Sequence, residues 1–109
     1  MIYLGTIANA GSDVLNNKTT ASTFVIPPGT QSLRLQPSAA TMMAAVKHAD
    51  DATFLPAATD MLQLGAANSI TDLPVPSPSA VTLTIAVRKT DAGAGTTKVF
   101  ALGVSAPSV

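Results

Sequence analysis

Cysteine, tryptophan and glutamate are absent from this chain, histidine occurs once, and charged residues make up only 11% of it. Each shortage removes a class of function. Without cysteine there is neither a disulfide nor a thiolate metal ligand, and the chain is compatible with synthesis in a reducing cytoplasm. Six lysines and arginines balance six aspartates, so the chain lacks the electrostatic footprint that nucleic acid or anionic lipid would require. Small domains ordinarily keep their net charge away from zero, and a neutral balance hints at a partner surface. No apolar run approaches the ~20 residues of a membrane span. The opening MIYLGTIANAG has no basic residues ahead of its short apolar stretch, so it does not read as a signal peptide. Without such a leader, the acceptor pattern Asn17-Lys18-Thr19 reads as coincidence.

What is present is alternation, punctuated by proline and glycine. The 109 residues suffice for one domain, spanning 1–109, with a single two-layer core. The chain is organised around Phe24 to Pro37, FVIPPGTQSLRLQP. The β-branched and aromatic residues of Thr23-Phe24-Val25-Ile26 favour an extended backbone. Pro27-Pro28-Gly29 ends that strand, and Leu33 and Leu35 then point away from Ser32, Arg34 and Gln36 in a second strand of the same sheet. Ile2 to Ile7 reads as a short strand with apolar residues on both faces, and Ala8 to Asn17 as turn chemistry. Thr41 to Lys47 fits either a helical face or a strand, and its shortness and lack of a cap favour strand. Asp50-Asp51 is a turn, Thr53-Phe54-Leu55 a short extended piece, and Met61 to Leu64 another. From Ala66 to Ser79 the spacing of Pro74, Pro76 and Pro78 predicts an exposed polyproline-like loop. Ala80 to Lys89 alternates almost without a break, Asp91 to Gly95 supplies a hairpin loop, and Thr97 to Val104 returns antiparallel beside it. The expected fold is all-β: an antiparallel β-sandwich of roughly seven or eight short strands, jelly-roll-like, with an immunoglobulin-like sandwich as the alternative.

Catalytic constellations are not apparent. His48 with Asp50 and Asp51 reads as a solvated turn, since adjacent aspartates in β-structure point to opposite sides. The oxygen-rich spacing of a calcium loop is missing, and no serine lies in a Gly-x-Ser-x-Gly elbow. Gly93-Ala94-Gly95 joins two strands and so cradles no phosphate. Arg34 and Arg88 read as solvent-facing charges on strands, Phe24 and Phe100 as core, and Met42-Met43 as core filling. No cofactor, metal or catalytic residue is expected, and the chain is read as no enzyme.

The proline–glycine turn in FVIPPGTQSLRLQPS, the Ala/Met-rich middle, the proline-rich stretch and the final AVTLTIAVRK…KVFAL pair resemble the small jelly-roll cement, or head-decoration, proteins of tailed bacteriophages. The resemblance runs from Thr23 to Leu102 and lies in pattern and composition. It implies a homodimer or homotrimer on the outer capsid surface of a virion, made in the host cytoplasm. There it would bridge and stabilise major capsid subunits, without direct contact to nucleic acid or membrane. The first candidates for partner contact are Ile2, Tyr3 and Leu4, whose strand is apolar on both faces, and then Phe54 and Leu55; ordinary core is the other use of all five. The competing reading is a tail-fibre or lectin-like module contacting a host surface.

Overall fold

The computed structural model describes residues 1–11, 19–56, 58–90 and 92–103. These form eight strands: β1 (Ile2–Gly11), β2 (Thr19–Ile26), β3 (Thr30–Pro37), β4 (Met42–Lys47), β5 (Leu62–Gln63), β6 (Thr71–Ser77), β7 (Val81–Lys89) and β8 (Ala92–Leu102). A single 3-10 turn, Ala58–Asp60, precedes β5. Two four-stranded antiparallel sheets result, in the orders β1-β8-β3-β6 and β2-β7-β4-β5. With the strands lettered B to I in chain order, the sheets read B-I-D-G and C-H-E-F, the arrangement of an eight-stranded jelly roll.

Alternation sets the inner faces. On β3, Leu33, Leu35 and Pro37 are buried while Ser32, Arg34 and Gln36 are only partly covered. On β7, Leu83, Ile85 and Val87 meet Leu33, Leu35, Met42 and Val99 in one core cluster. The outer face of β7 is also dry, because Thr84 and Ala86 are fully buried. This makes β7 the most enclosed strand of its sheet.

Consecutive strands, however, with one exception do not pair. The two expected hairpins, Phe24 to Pro37 and Ala80 to Val104, are both arches that carry the chain from one sheet to the other, and only β4 and β5 are neighbours in both sequence and sheet. The Pro27-Pro28-Gly29 corner is a tight turn of type II character: Pro28 precedes Gly29, whose φ is 83°, and Thr30 N–H donates to the Pro27 carbonyl at 3.3 Å. At the other arch, Thr90 N–H donates to the Thr41 carbonyl at 3.0 Å, and the expected hairpin loop at Gly93 and Gly95 already belongs to β8. The expected return of β8 beside β7 is replaced by pairing with β1 and β3.

Three further expectations change. The proline-rich stretch contains β6, a strand at the free edge of its sheet, where a missing N–H costs no ladder bond. The opening strand is longer than Ile2 to Ile7 and takes in Ala8 to Gly11; the rest of the expected turn, 12–17, lies outside the described residues, as does 104, the last residue of the expected final strand. Thr53-Phe54-Leu55 follows a turn and is not a strand, since Phe54 N–H bonds back to the Asp51 carbonyl at 3.1 Å.

Gly5 is required by a close approach. It sits where β1 shifts register against β8, and a Cβ there would lie 2.9 Å from Cε1 of Phe24 on the facing sheet. Gly5→Ala is expected to destabilise the fold by about 1–3 kcal/mol through overpacking. Phe24→Leu in the same background should recover part of that loss, read by denaturant unfolding of both single variants and the double variant. Strict additivity of the two changes would show that the ring does not rest on Gly5.

Candidate functional site

Antiparallel register carries one row of side chains across the outer face of the β1-β8-β3-β6 sheet. Tyr3 lies opposite Phe100, Phe100 opposite Arg34, and Arg34 opposite Asp72. The two rings are tilted by 55° with centroids 5.5 Å apart, an arrangement that suits their quadrupoles. Arg34 binds Asp72 through two parallel bonds, Nε to Oδ1 at 2.9 Å and Nη2 to Oδ2 at 3.0 Å. That hydrogen-bonded pairing holds the Asp72 carboxyl below the usual carboxylate range and raises the Arg34 guanidinium further. The Met1 sulfur lies 4.0 Å from Arg34 Nη1, and the Tyr3 hydroxyl is hydrogen-bonded to Thr6. Phe100, expected in the core, therefore belongs to the outer face, because β8 alternates with Val99 and Ala101 inward.

The loop after β4 is built around Asp51. Its Oδ2 accepts from Lys47 Nζ at 2.5 Å, and its Oδ1 accepts from the Thr53 N–H at 2.9 Å and the Thr53 hydroxyl at 2.6 Å. Those bonds, the Lys47 one foremost, lower the carboxyl from 3.8 to about 2. The backbone is tied down as well: Asp51 N–H donates to Thr84 Oγ1 at 2.8 Å, and that hydroxyl donates to the Ala49 carbonyl at 2.7 Å. Lys47 Nζ stands 6.0 Å from the centre of the Phe54 ring. His48 and Asp50 are exposed, and among the described residues no group of three or more potential metal ligands comes together.

The five sequence candidates separate. Ile2 and Tyr3 are exposed on β1, whereas Leu4 occupies the register shift and packs against the core. Phe54 is half-buried under Lys47, and Leu55 beside it is 61% exposed. Sequence reasoning missed Val25 and Val81, both exposed at one end of the other sheet, Val25 on its edge strand β2 and Val81 at the start of β7. The register unites most of these residues. The starts of β1, β3 and β7 and the ends of β2, β4 and β8 all lie at one end of the sandwich. Met1, Ile2, Tyr3, Val25 and Val81 are at that end, and the loop bearing Leu55 departs from it; together they are six of the eight exposed large apolar side chains among the described residues. Of the two arginines, Arg34 reaches the surface, while Arg88 is half-buried beside Thr19 and Met43, with Nε shielded and unpartnered among the described residues.

No protein-family model matches the chain, and neither a curated protein nor a solved structure matches it.

The depressed acidity of Asp51 has a direction in pH. A carboxyl whose folded value lies below its unfolded one contributes stability above about pH 4 and loses it as the pH falls toward the folded value. The Asp51 carboxyl carbon is expected to titrate near 2 in an NMR pH series, with the Thr53 amide moving in step. High salt should raise that midpoint, because the Lys47 pair is solvent-accessible. A salt-independent midpoint near 4 would show that the loop is not held by this carboxylate.

Proposed function

We propose that this chain is a non-enzymatic structural protein of a virion: a capsid decoration, or cement, protein that binds the outer shell and bridges major capsid subunits. The observation that carries the reading is the concentration of exposed apolar side chains, Met1, Ile2, Tyr3, Val25 and Val81, at one end of the sandwich, with Leu55 exposed on the loop that leaves that end. Exposed apolar groups concentrated at one end suit contact with a partner, whereas singly scattered ones need no explanation. The jelly-roll order and the pattern resemblance to phage head-decoration proteins support the same reading. So does the neutral charge, since such a surface docks through apolar and polar contacts with little dependence on salt. Many weakly binding copies on one lattice together give strong reinforcement. Synthesis in the host cytoplasm and a final place on the outer capsid surface belong to this proposal, with neither nucleic acid nor membrane as a direct partner.

One observation favours the second reading, a tail-fibre or lectin-like module. Tyr3 is an exposed aromatic in the same cross-sheet row as the hydrogen-bonding Arg34–Asp72 pair, with Phe100 between them, and sugar-binding surfaces combine such groups. Quantitative mass spectrometry of gradient-purified particles separates the two. A copy ratio comparable to the major shell protein is expected, and Tyr3→Asp and Leu55→Asp should each weaken binding to undecorated shells by about tenfold or more while leaving the fold intact. A small copy ratio with heat released on glycan titration would move the chain to the tail, and absence from particles would remove the virion reading.

A further inference from the structure

The four free edges of the two sheets are not alike. β1 is interrupted by register shifts at Tyr3/Gly5 and Asn9/Gly11. β6 contains Pro74 and Pro76, which have no N–H to offer, and β5 is only two residues long. Bulges, prolines and shortness are the devices by which natural sheets blunt an edge against pairing with another chain, together with charge. β2 has none of them. Its eight residues, TTASTFVI, contain no charge, proline or glycine, and they pair with β7 in unbroken register from Thr19↔Arg88 to Ile26↔Val81. Among the described residues, β7 is the only backbone hydrogen-bonding partner of β2, so the N–H and C=O groups on its other side face outward. Its outer side chains are open too, with Thr23 exposed and Val25 at 67%.

We propose that β2 is the edge along which two copies of this chain pair, antiparallel across a two-fold axis, joining two β2-β7-β4-β5 sheets into one continuous sheet. A second copy is the occupant that the chemistry of the edge favours. An antiparallel edge is complementary to itself in backbone donors and acceptors, which is the condition for an isologous contact. A two-fold axis also sets each side chain near its own kind, and like charges opposite one another are repulsive. β2 brings no charge to the axis and the chain as a whole is neutral, so neither local nor long-range repulsion opposes the approach. The outer residues supplied to the joint, Thr19, Ala21, Thr23 and Val25, are compatible with cross-strand packing, and three of the four are β-branched. On the same lateral side of the sandwich, the shifts in β1 keep that strand from competing, so one sheet extends and the other ends.

The test uses the purified full chain alone, so its outcome is independent of the virion reading. Sedimentation equilibrium over a wide concentration range is expected to show a monomer–dimer equilibrium, and hydrogen exchange on the dimer should show slow amides at alternate β2 positions facing away from β7. Thr23→Lys and Val25→Lys each place two lysines at the joint and should weaken self-association by about tenfold or more, with those amides becoming fast. Three results would overturn the inference: a monomer at every concentration with fast edge amides, a dimer indifferent to both lysines, or edge amides protected only when another protein is added. The exchange pattern of the parent chain decides the matter even if a lysine variant fails to fold.

Discussion

The mutual burial of two inner sheet faces is the constraint on which the rest of this molecule depends. Leu83, Ile85 and Val87 on one sheet and Leu33, Leu35 and Val99 on the other are each at most 1% exposed. Fully burying such a side chain is worth roughly 1.5–3 kcal/mol, against a backbone ordering cost of roughly 1–2 kcal/mol per residue. No strand pair alone overcomes that cost by a useful margin. The chain order then makes the two sheets inseparable, because β1 pairs with β8 and β2 with β7. Each sheet needs strands from both ends of the chain, so neither forms early and alone. A topology dominated by such distant pairings folds slowly for its size.

Where the core admits polar groups, it does so in closed arrangements. Asn9 is 1% exposed, yet its amide donates to the Val87 carbonyl and to Thr20 Oγ1, both at 3.1 Å, while its oxygen accepts from the Lys89 N–H at 3.2 Å. One side chain of β1 therefore stitches the facing sheet at β2 and β7, near the far end from the apolar cluster. Thr30 does a similar job at the corner, donating its hydroxyl to the Pro27 carbonyl at 2.7 Å. Satisfied groups of this kind cost little and fix which residues face one another, whereas a purely apolar interface would allow the sheets to slide.

The sequence made the faces legible and left the neighbours illegible. Alternation in Thr30 to Pro37 identifies one dry side and one wetter side, and alternation in Val81 to Lys89 identifies the inner face of a strand whose other face is also largely covered. Alternation says nothing about which strand lies alongside. A short glycine-containing connection such as 91–95 is as consistent with an arch as with a hairpin, and the hairpin inference failed there for that reason. The prolines of β6 mislead because proline excludes only a central strand; an edge strand has one side on which a missing donor costs no ladder bond. Phe100 shows a related limit. Hydrophobicity placed it in the core, but its neighbours Val99 and Ala101 claim the inner face, and the ring finds Tyr3 outside instead. The exposed apolar end was visible only in part, through Ile2, Tyr3 and Leu55, because Val25 and Val81 join it through the register of two strands far apart in sequence.

The apolar end and the β2 edge are related by geometry. The end is a pole of the sandwich, at right angles to the strand edges, so occupation of one leaves most of the other open; Val25 alone belongs to both. Antiparallel pairing along β2 sets the finish of one strand beside the start of its mate. The two apolar poles of such a dimer would therefore point in opposite directions along the shared sheet, each free to seat on a separate surface. Poles on the same side of a dimer would face one surface, whereas opposed poles face two. The opposed geometry follows from strand direction alone once the joint is β2 against β2.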